Sequence, residues 1–343
     1  MMATLKSKKS LNFLTHFLHH RSPGFNYSTT RTLEPLAFEE VRSSSEKPCT
    51  STAFVLHGLL ESGRYWHSFS RNLASSLSNS SSSSEWRMVL VDLRNHGISA
   101  DIKGLDPPHD VFNAAKDLAN LVKSHGWSWP DVVIGHSMGG KVALQFAQSC
   151  SRGDYGESAV WPKQLWALDS VPGDVKLETI DEVEKVLKTL QSLPSSFPSR
   201  KWLVNHMIDL GFCKPTAEWI SNYLKKSGEQ EIWSFNPEGA IQMFDSYWES
   251  SYWSLLEHPP KGMEINIVVA EKSGCWEPDV IQRLESLDSQ KGSGSEGEVS
   301  LHVLPNSGHW LHVDNPKGLL QIVAPKIASL SALMHSYSSR DSS

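Results

Sequence analysis

The run Asp131-Val-Val-Ile-Gly135-His136-Ser137-Met138-Gly139-Gly140-Lys141 constrains this chain more than any other stretch. Residues 132–135 read as a buried parallel strand. The residues from Lys141 onward, Lys-Val-Ala-Leu-Gln-Phe-Ala-Gln, read as a helix. Between them stands Gly135-x-Ser137-x-Gly139. A strand that turns directly into a helix puts the serine on a strained turn. Glycines two residues to either side keep a Cβ from striking the neighbouring strand or helix. Such a turn lifts the Ser137 hydroxyl above the sheet and aims the free N–H groups of the helix's first turn at charge developing there. The pentapeptide alone also fits a plain Gly-rich turn, so the rest of the chain has to discriminate.

The other segments supply the context. Residues 34–50 suggest an edge strand and turn. Thr52–Leu56 reads as a buried strand running into His57-Gly58-Leu59-Leu60, with a helix over Tyr65–Leu77 and a low-complexity insertion at Ser78–Ser84. Arg87–Val91 is the next strand, and it ends in Asp92-Leu-Arg94-Asn95-His96-Gly97. Asp110 caps a helix that runs to about Ser124. After the Ser137 turn come a strand at Gln164–Leu168 that ends in Asp169, a strand at Glu264–Ala270, a helix over Asp279–Leu287 and a strand at Val299–Leu304. A last helix extends to about residue 335. Strands alternating with helices imply a mostly parallel sheet with crossover helices. Residues 174–261 differ in character: amphipathic helices broken by prolines and rich in aromatics. They read as a helical lid over the carboxyl ends of the strands, where such sheets bind ligands. The expected organisation is therefore a core of 34–173 and 262–335, a lid of 174–261 and a disordered tail of 336–343.

Residues 1–33 hold Lys6, Lys8, Lys9, Arg21 and Arg31, no acidic residue and many Ser and Thr. That is the pattern of an organellar transit peptide, mitochondrial or plastid. The net charge of −6 and the lack of a basic stripe beyond this leader argue against nucleic acid as a partner. No apolar run reaches the roughly 18–20 residues that span a bilayer. Cys49, Cys150, Cys213 and Cys275 are far apart, so reduced thiols are expected rather than a disulfide framework or a zinc site. There is no P-loop, G-x-G-x-x-G or H-E-x-x-H, so the sequence implies no nucleotide cofactor and no metal.

A serine hydroxyl needs a base, and the base an orienting acid. His309 follows the last strand in Ser307-Gly308-His309-Trp310 and is the candidate base; His312 reads as a surface or packing residue. An oxyanion needs two backbone N–H donors, and the candidates are Leu59 and Met138. The acid is less determined. Its usual place, beyond the strand that precedes the histidine strand, reads Val269-Ala270-Glu271-Lys272-Ser273, with Ser273 where an Asp is expected. Asp169 at the end of its strand is the favoured acid and Glu271 the alternative. Asp92, Arg94 and His96 read as braces for their turn, His136 as a locally bonded or packed residue, and the lid tryptophans as core with one or two lining a pocket.

Together, His57-Gly58, Asp92-Leu-Arg-Asn-His-Gly97, Gly135-His-Ser-Met-Gly-Gly-Lys141, Leu168-Asp169 and Gly308-His-Trp-Leu-His312 resemble the α/β-hydrolase superfamily. Within it they resemble the branch of α/β-hydrolase domain-containing protein 11 and bacterial short-chain esterases. The resemblance covers roughly residues 50–330. It implies an α/β-hydrolase fold and a serine hydrolase of carboxylic esters or thioesters that acts on a small-molecule acyl substrate without a cofactor. It also implies Asp169 as a substitute acid. The alternatives are a ligand receptor on a hydrolase scaffold, or carbon–carbon hydrolysis or acyl transfer on the same fold.

Overall fold

A computed structural model describes residues 35–43, 49–80, 85–175, 181–290 and 296–338. The leader read over residues 1–33 and residues 81–84 of the serine run lie outside it. The chain opens with β1 (Phe38–Arg42), β2 (Cys49–Leu56), α1 (His67–Ser80) and β3 (Glu85–Val91). It continues through α2 (Val111–Ser124), β4 (Val132–His136), α3 (Met138–Arg152) and β5 (Gln164–Leu168). An inserted block follows: α4 (Asp181–Ser192), β6 (Ser196–Phe197), α5 (Arg200–Asp209), α6 (Lys214–Ser221), β7 (Leu224–Ser227), β8 (Gln230–Trp233), α7 (Pro237–Glu249) and α8 (Trp253–Glu257). The chain then returns through β9 (Glu264–Ala270), α9 (Pro278–Asp288), β10 (Glu298–Leu304), α10 (Leu311–Asp314) and α11 (Pro316–Ser338).

Seven strands form one sheet in the order β1-β3-β2-β4-β5-β9-β10. β1 runs antiparallel to β3, and the other pairs are parallel. Strand period two explains the layers. Phe54, Val89, Val133, Leu165 and Ile267 face a cluster with α2, α3 and α9. Val55, Leu90, Ile134, Trp166 and Val268 face the opposite cluster with α1 and α11. Both faces are covered, which is why the central strands read as continuous apolar runs rather than alternating ones. This is the α/β-hydrolase fold, a mostly parallel sheet flanked by helices.

Three local expectations need correction. The sequence suggests that the serine-rich insertion begins at Ser78, but α1 runs on to Ser80. The inserted block is not purely helical: β6, β8 and β7 form a three-stranded antiparallel sheet. Its strands are short and partly charged, with Lys225 opposite Ile232 and Lys226 opposite Glu231, so they lack the alternating apolar signal that marks a strand. The final helix continues to Ser338, into the stretch expected to be a tail.

The inserted block has its own buried cluster, including Val186, Leu203, Met207, Ile220, Phe235 and Phe244, and Leu60 from the loop after β2 packs into it. It is tied to the core at several points. The Asn236 N–H donates to the Asn95 carbonyl at 2.7 Å, and the Tyr252 N–H to the Pro172 carbonyl at 2.8 Å. Lys141 of α3 is fully buried, and its ammonium donates to the carbonyls of Gly173, Tyr247 and Ser250 at 2.5–2.8 Å. The ammonium also lies 4.3 Å from the centre of the Tyr247 ring.

Candidate active site

Loops at the carboxyl ends of the parallel strands carry the predicted site residues: Leu59 after β2, Ser137 after β4, Asp169 after β5, Ser273 after β9 and His309 after β10. Ser137 sits at φ 51°, ψ −118°, outside the helical and extended regions, on the junction of β4 and α3. Its N–H donates to the Leu168 carbonyl at 2.9 Å, which locks the turn to β5. The glycines are required by packing. A Cβ on Gly135 would lie 2.1 Å from the Gly139 carbonyl oxygen, and one on Gly139 would lie 2.5 Å from that of His57. A backbone of this kind costs about 1–3 kcal/mol and persists only where the surroundings over-determine it.

His309 Nδ1 lies 2.7 Å from Asp169 Oδ2. A carboxylate accepts only, so Nδ1 carries the hydrogen and the neutral ring keeps its lone pair on Nε2. Asp169 is 1 % exposed. Its Oδ2 also accepts from Ser273 Oγ at 2.6 Å, and its Oδ1 accepts from Trp276 Nε1 at 2.6 Å and the Ala270 N–H at 3.1 Å. Burial alone would raise this carboxyl. The neighbouring imidazole and the Ser273 and Trp276 donors outweigh burial and hold it below the usual carboxylate range. Ser273, at the place where an acid was expected, thus supplies a donor to the acid reaching across from β5. Trp276 completes the cradle, and nothing in its sequence position announced that role. Glu271 lies elsewhere, with its Oε2 accepting from the Asn306 N–H at 2.7 Å to brace the turn before the histidine.

Cys275 Sγ lies 3.7 Å from Asp169 Oδ2 and 3.0 Å from Ser273 Oγ. Burial and the adjacent carboxylate push this thiol up to about 12, the state of an inert thiol rather than a nucleophile. Asp169, Cys275 and His309 bring donor atoms within 4.8 Å of one another. Four N–H and O–H donors already fill the carboxylate and the thiol is held protonated, so the chemistry of this set suits a shared proton rather than a cation.

Among the described residues, the amides of Leu59 and Met138 have no intramolecular acceptor. The Gly58 N–H, by contrast, donates to Glu61 Oε2 at 3.1 Å. Glu61, read from the sequence only as part of a loop, is 3 % exposed and lies 3.7 Å from His136 Nδ1. His136 Nε2 in turn donates to the His309 carbonyl at 2.8 Å. His312 packs its ring 4.1 Å from that of Trp66. Asp92 accepts from the Gly63 and Ile98 N–H groups at 2.7 and 2.8 Å, and Arg94 forms a two-point ion pair with Asp117 at 2.7 and 3.0 Å. Both brace the turn beside the site. His96 is fully buried, and its Nδ1 donates to the Arg94 carbonyl at 2.8 Å.

Ser137 and His309 open onto a cavity of about 440 Å³. Its walls from the inserted block include Val183, Val186, Trp219, Phe244 and Trp248. Of the tryptophans in that block, Trp219 and Trp248 reach the cavity, while Trp233 lies buried in the block's own cluster.

The strained Ser137 turn, the Asp169–His309 pair and a cavity beyond the strand ends stand together in this fold, and the comparisons give its family. Residues 53–322 match the model of the alpha/beta hydrolase family, and the chain belongs to that family. The mouse sn-1-specific diacylglycerol lipase ABHD11 is 23% identical over 312 residues, covering 91% of both chains. Esterase YbfF of Escherichia coli (strain K12) is 22% identical over 246 residues, covering 69% of this chain and 80% of its own. Among solved structures, a marine microorganism esterase superposes with a TM-score of 0.63 at 21% identity, over 84% of this chain and 97% of that one. The branch resemblance read from the motifs is thus borne out.

Proposed function

We propose that the chain is a serine hydrolase that cleaves carboxylic esters or thioesters through an acyl-enzyme. The observation that carries this reading is the 2.7 Å Asp169–His309 bond, with His309 and the strained Ser137 turn lining one cavity. With Nδ1–H held by Asp169, the free Nε2 takes the Ser137 proton as Oγ attacks the acyl carbon. The tetrahedral oxygen is received by the N–H groups of Leu59 and Met138. His309 then returns the proton to the leaving alcohol or thiol, and water repeats the sequence to release the acid. Asp169 stays ionised throughout and stabilises the imidazolium.

Residues 174–261 act as the lid that supplies the acyl pocket. Glu61, His136 and His309 are the ionisable groups on the cavity wall apart from the Cys275 thiol and the Tyr247 phenol, and no Lys or Arg lines it among the described residues. An uncharged, apolar acyl group therefore suits this pocket better than a dicarboxylate half-ester. No helix among the described residues is long and apolar enough to cross a membrane. The basic, acid-free leader supports delivery to a mitochondrion or plastid, and N-terminal sequencing of the protein recovered from isolated organelles checks this.

The test is labelling with a fluorophosphonate probe, followed by turnover of short-chain nitrophenyl esters. The wild type should label and turn over, and Ser137→Ala should do neither. A folded wild type that does neither refutes the reading. Hexanoate should exceed hemisuccinate in kcat/KM by more than tenfold, and the reverse order would refute the pocket assignment.

A further inference from the structure

Glu61 and His136 are 3 % and 1 % exposed, and both touch the cavity. Taking two charges out of water is costly, and a buried pair is a poor way to stabilise a fold. This pair sits where it contacts both halves of the site. On one side Glu61 Oε2 accepts the Gly58 N–H at 3.1 Å and so sets the turn that presents the Leu59 amide. On the other, His136 Nε2–H donates to the His309 carbonyl at 2.8 Å, and the two imidazole rings lie 4.8 Å apart. His136 is also the residue immediately before Ser137. At 3.7 Å the contact between Glu61 and His136 is one of charge, and among the described residues His136 Nδ1 has no hydrogen-bond partner. The turn is packed onto the ring, since a Cβ on Gly58 would lie 2.9 Å from His136 Nδ1.

We infer that Glu61 and His136 are a positioning pair that holds the oxyanion turn and the His309 backbone in register around Ser137, an inference that rests on the hydrolase reading above. The pair also settles the local charge. A lone carboxylate beside Leu59 would oppose the developing oxyanion, and the imidazolium of His136 cancels it. Burial works against both charged forms, yet the attraction wins: Glu61 is held at about 2 and His136 is raised above its ordinary value. The surrounding titratable groups do not compete for the role. Burial holds His57 and His312 at about 4 and His96 at about 3, so all three are neutral. Asp169 is committed to His309 and its other donors.

The pair makes a prediction about signs. Glu61→Gln keeps an acceptor for Gly58 and removes the charge. It should lower kcat about tenfold with KM within about twofold, and the kcat–pH profile should change on its acid side, because without Glu61 burial draws His136 below the ordinary histidine value and it loses its charge. His136→Gln leaves the carboxylate unpaired and should cost more, about a hundredfold. Adding Glu61→Gln to His136→Gln should then recover activity rather than lose more. The experiment is nitrophenyl ester kinetics across pH for both single variants and the double variant, per site titrated with the fluorophosphonate probe so that misfolded protein is not counted. Recovery in the double variant supports the pair. Wild-type kcat and pH profile in Glu61→Gln, with only thermal stability lowered, overturns it, as does a double variant at the product of the singles. If the wild type itself neither labels nor turns over, the hydrolase reading falls and the pair's role falls with it. A working wild type with an unaffected Glu61→Gln removes the pair alone.

Discussion

Replacing Asp169 with Asn tests the reach of β5 across the sheet. The side chain keeps its shape, but four donors point at it: His309 Nδ1 and Ser273 Oγ at one oxygen, Trp276 Nε1 and the Ala270 N–H at the other. An amide offers one oxygen and one NH2, so either orientation sets two donors against a donor. With the NH2 toward Ala270 and Trp276, His309 keeps its tautomer but loses its counter-charge. With the NH2 toward His309, the ring must accept at Nδ1 and carry its hydrogen on Nε2, where it cannot take the serine proton. The loss of charge alone can be sized. A carboxylate and an imidazolium with charge centres about 4 Å apart attract by about 4 kcal/mol at an effective dielectric of 20. At about 1.4 kcal/mol per tenfold, that predicts a fall in kcat/KM of about a thousandfold. The assay is nitrophenyl ester hydrolysis per titrated site, with circular dichroism to establish that the variant is folded. A folded Asp169→Asn protein within threefold of wild type would refute the argument, and so would an equal loss in Glu271→Gln, whose carboxylate braces Asn306 instead.

Ser273→Ala removes one of the donors to Asp169 and should cost about tenfold in kcat, as one charge-assisted hydrogen bond is worth about 1.5 kcal/mol; unchanged kinetics would show that the serine is idle. Lys141→Met leaves the carbonyls of Gly173, Tyr247 and Ser250 without their donor. With a penalty of about 1–3 kcal/mol for each buried unsatisfied group, offset in part because burial already pulls this ammonium down to about 7, urea unfolding should show a net loss of about 3 kcal/mol, and KM should rise as Tyr247 and Trp248 shift. Glu61 lies below its unfolded value, so its contribution to stability is complete above about 4.5 and is lost as pH falls toward about 2. That drop is worth on the order of 3 kcal/mol; a Glu61→Gln protein with the same acid slope as wild type would show that the carboxylate is not held this way.

What could be read in advance follows from how local each signal is. Ser137 and His309 stood out because their positions are written in short runs of chain, a glycine-framed turn between strand and helix and a Gly-His step after the last strand. Asp169 was half legible: the end of β5 was visible, but its distance from His309 depends on how β5, β9 and β10 pair. Ser273 read as a missing acid because its part is defined by a residue 104 positions away. Glu61 and Trp276 carried no sequence signal, since their partners come from other strands' loops. The small sheet of the inserted block escaped for a different reason: strands of two to four residues are too short and too polar to show a period.

Lys141 has a consequence for how substrate enters. It emerges from the helix that starts after Ser137, and its three acceptors belong to the two places where the inserted block leaves and re-approaches the core. That corner is fastened. The block cannot swing away as one rigid flap without stranding a buried cation, so α7 with Tyr247 and Trp248 is a stationary jamb of the doorway. Val183, Val186 and Trp219 of the same block line the cavity with them. One corner of the cavity wall is thus fixed by the same helix that carries Ser137 at its start.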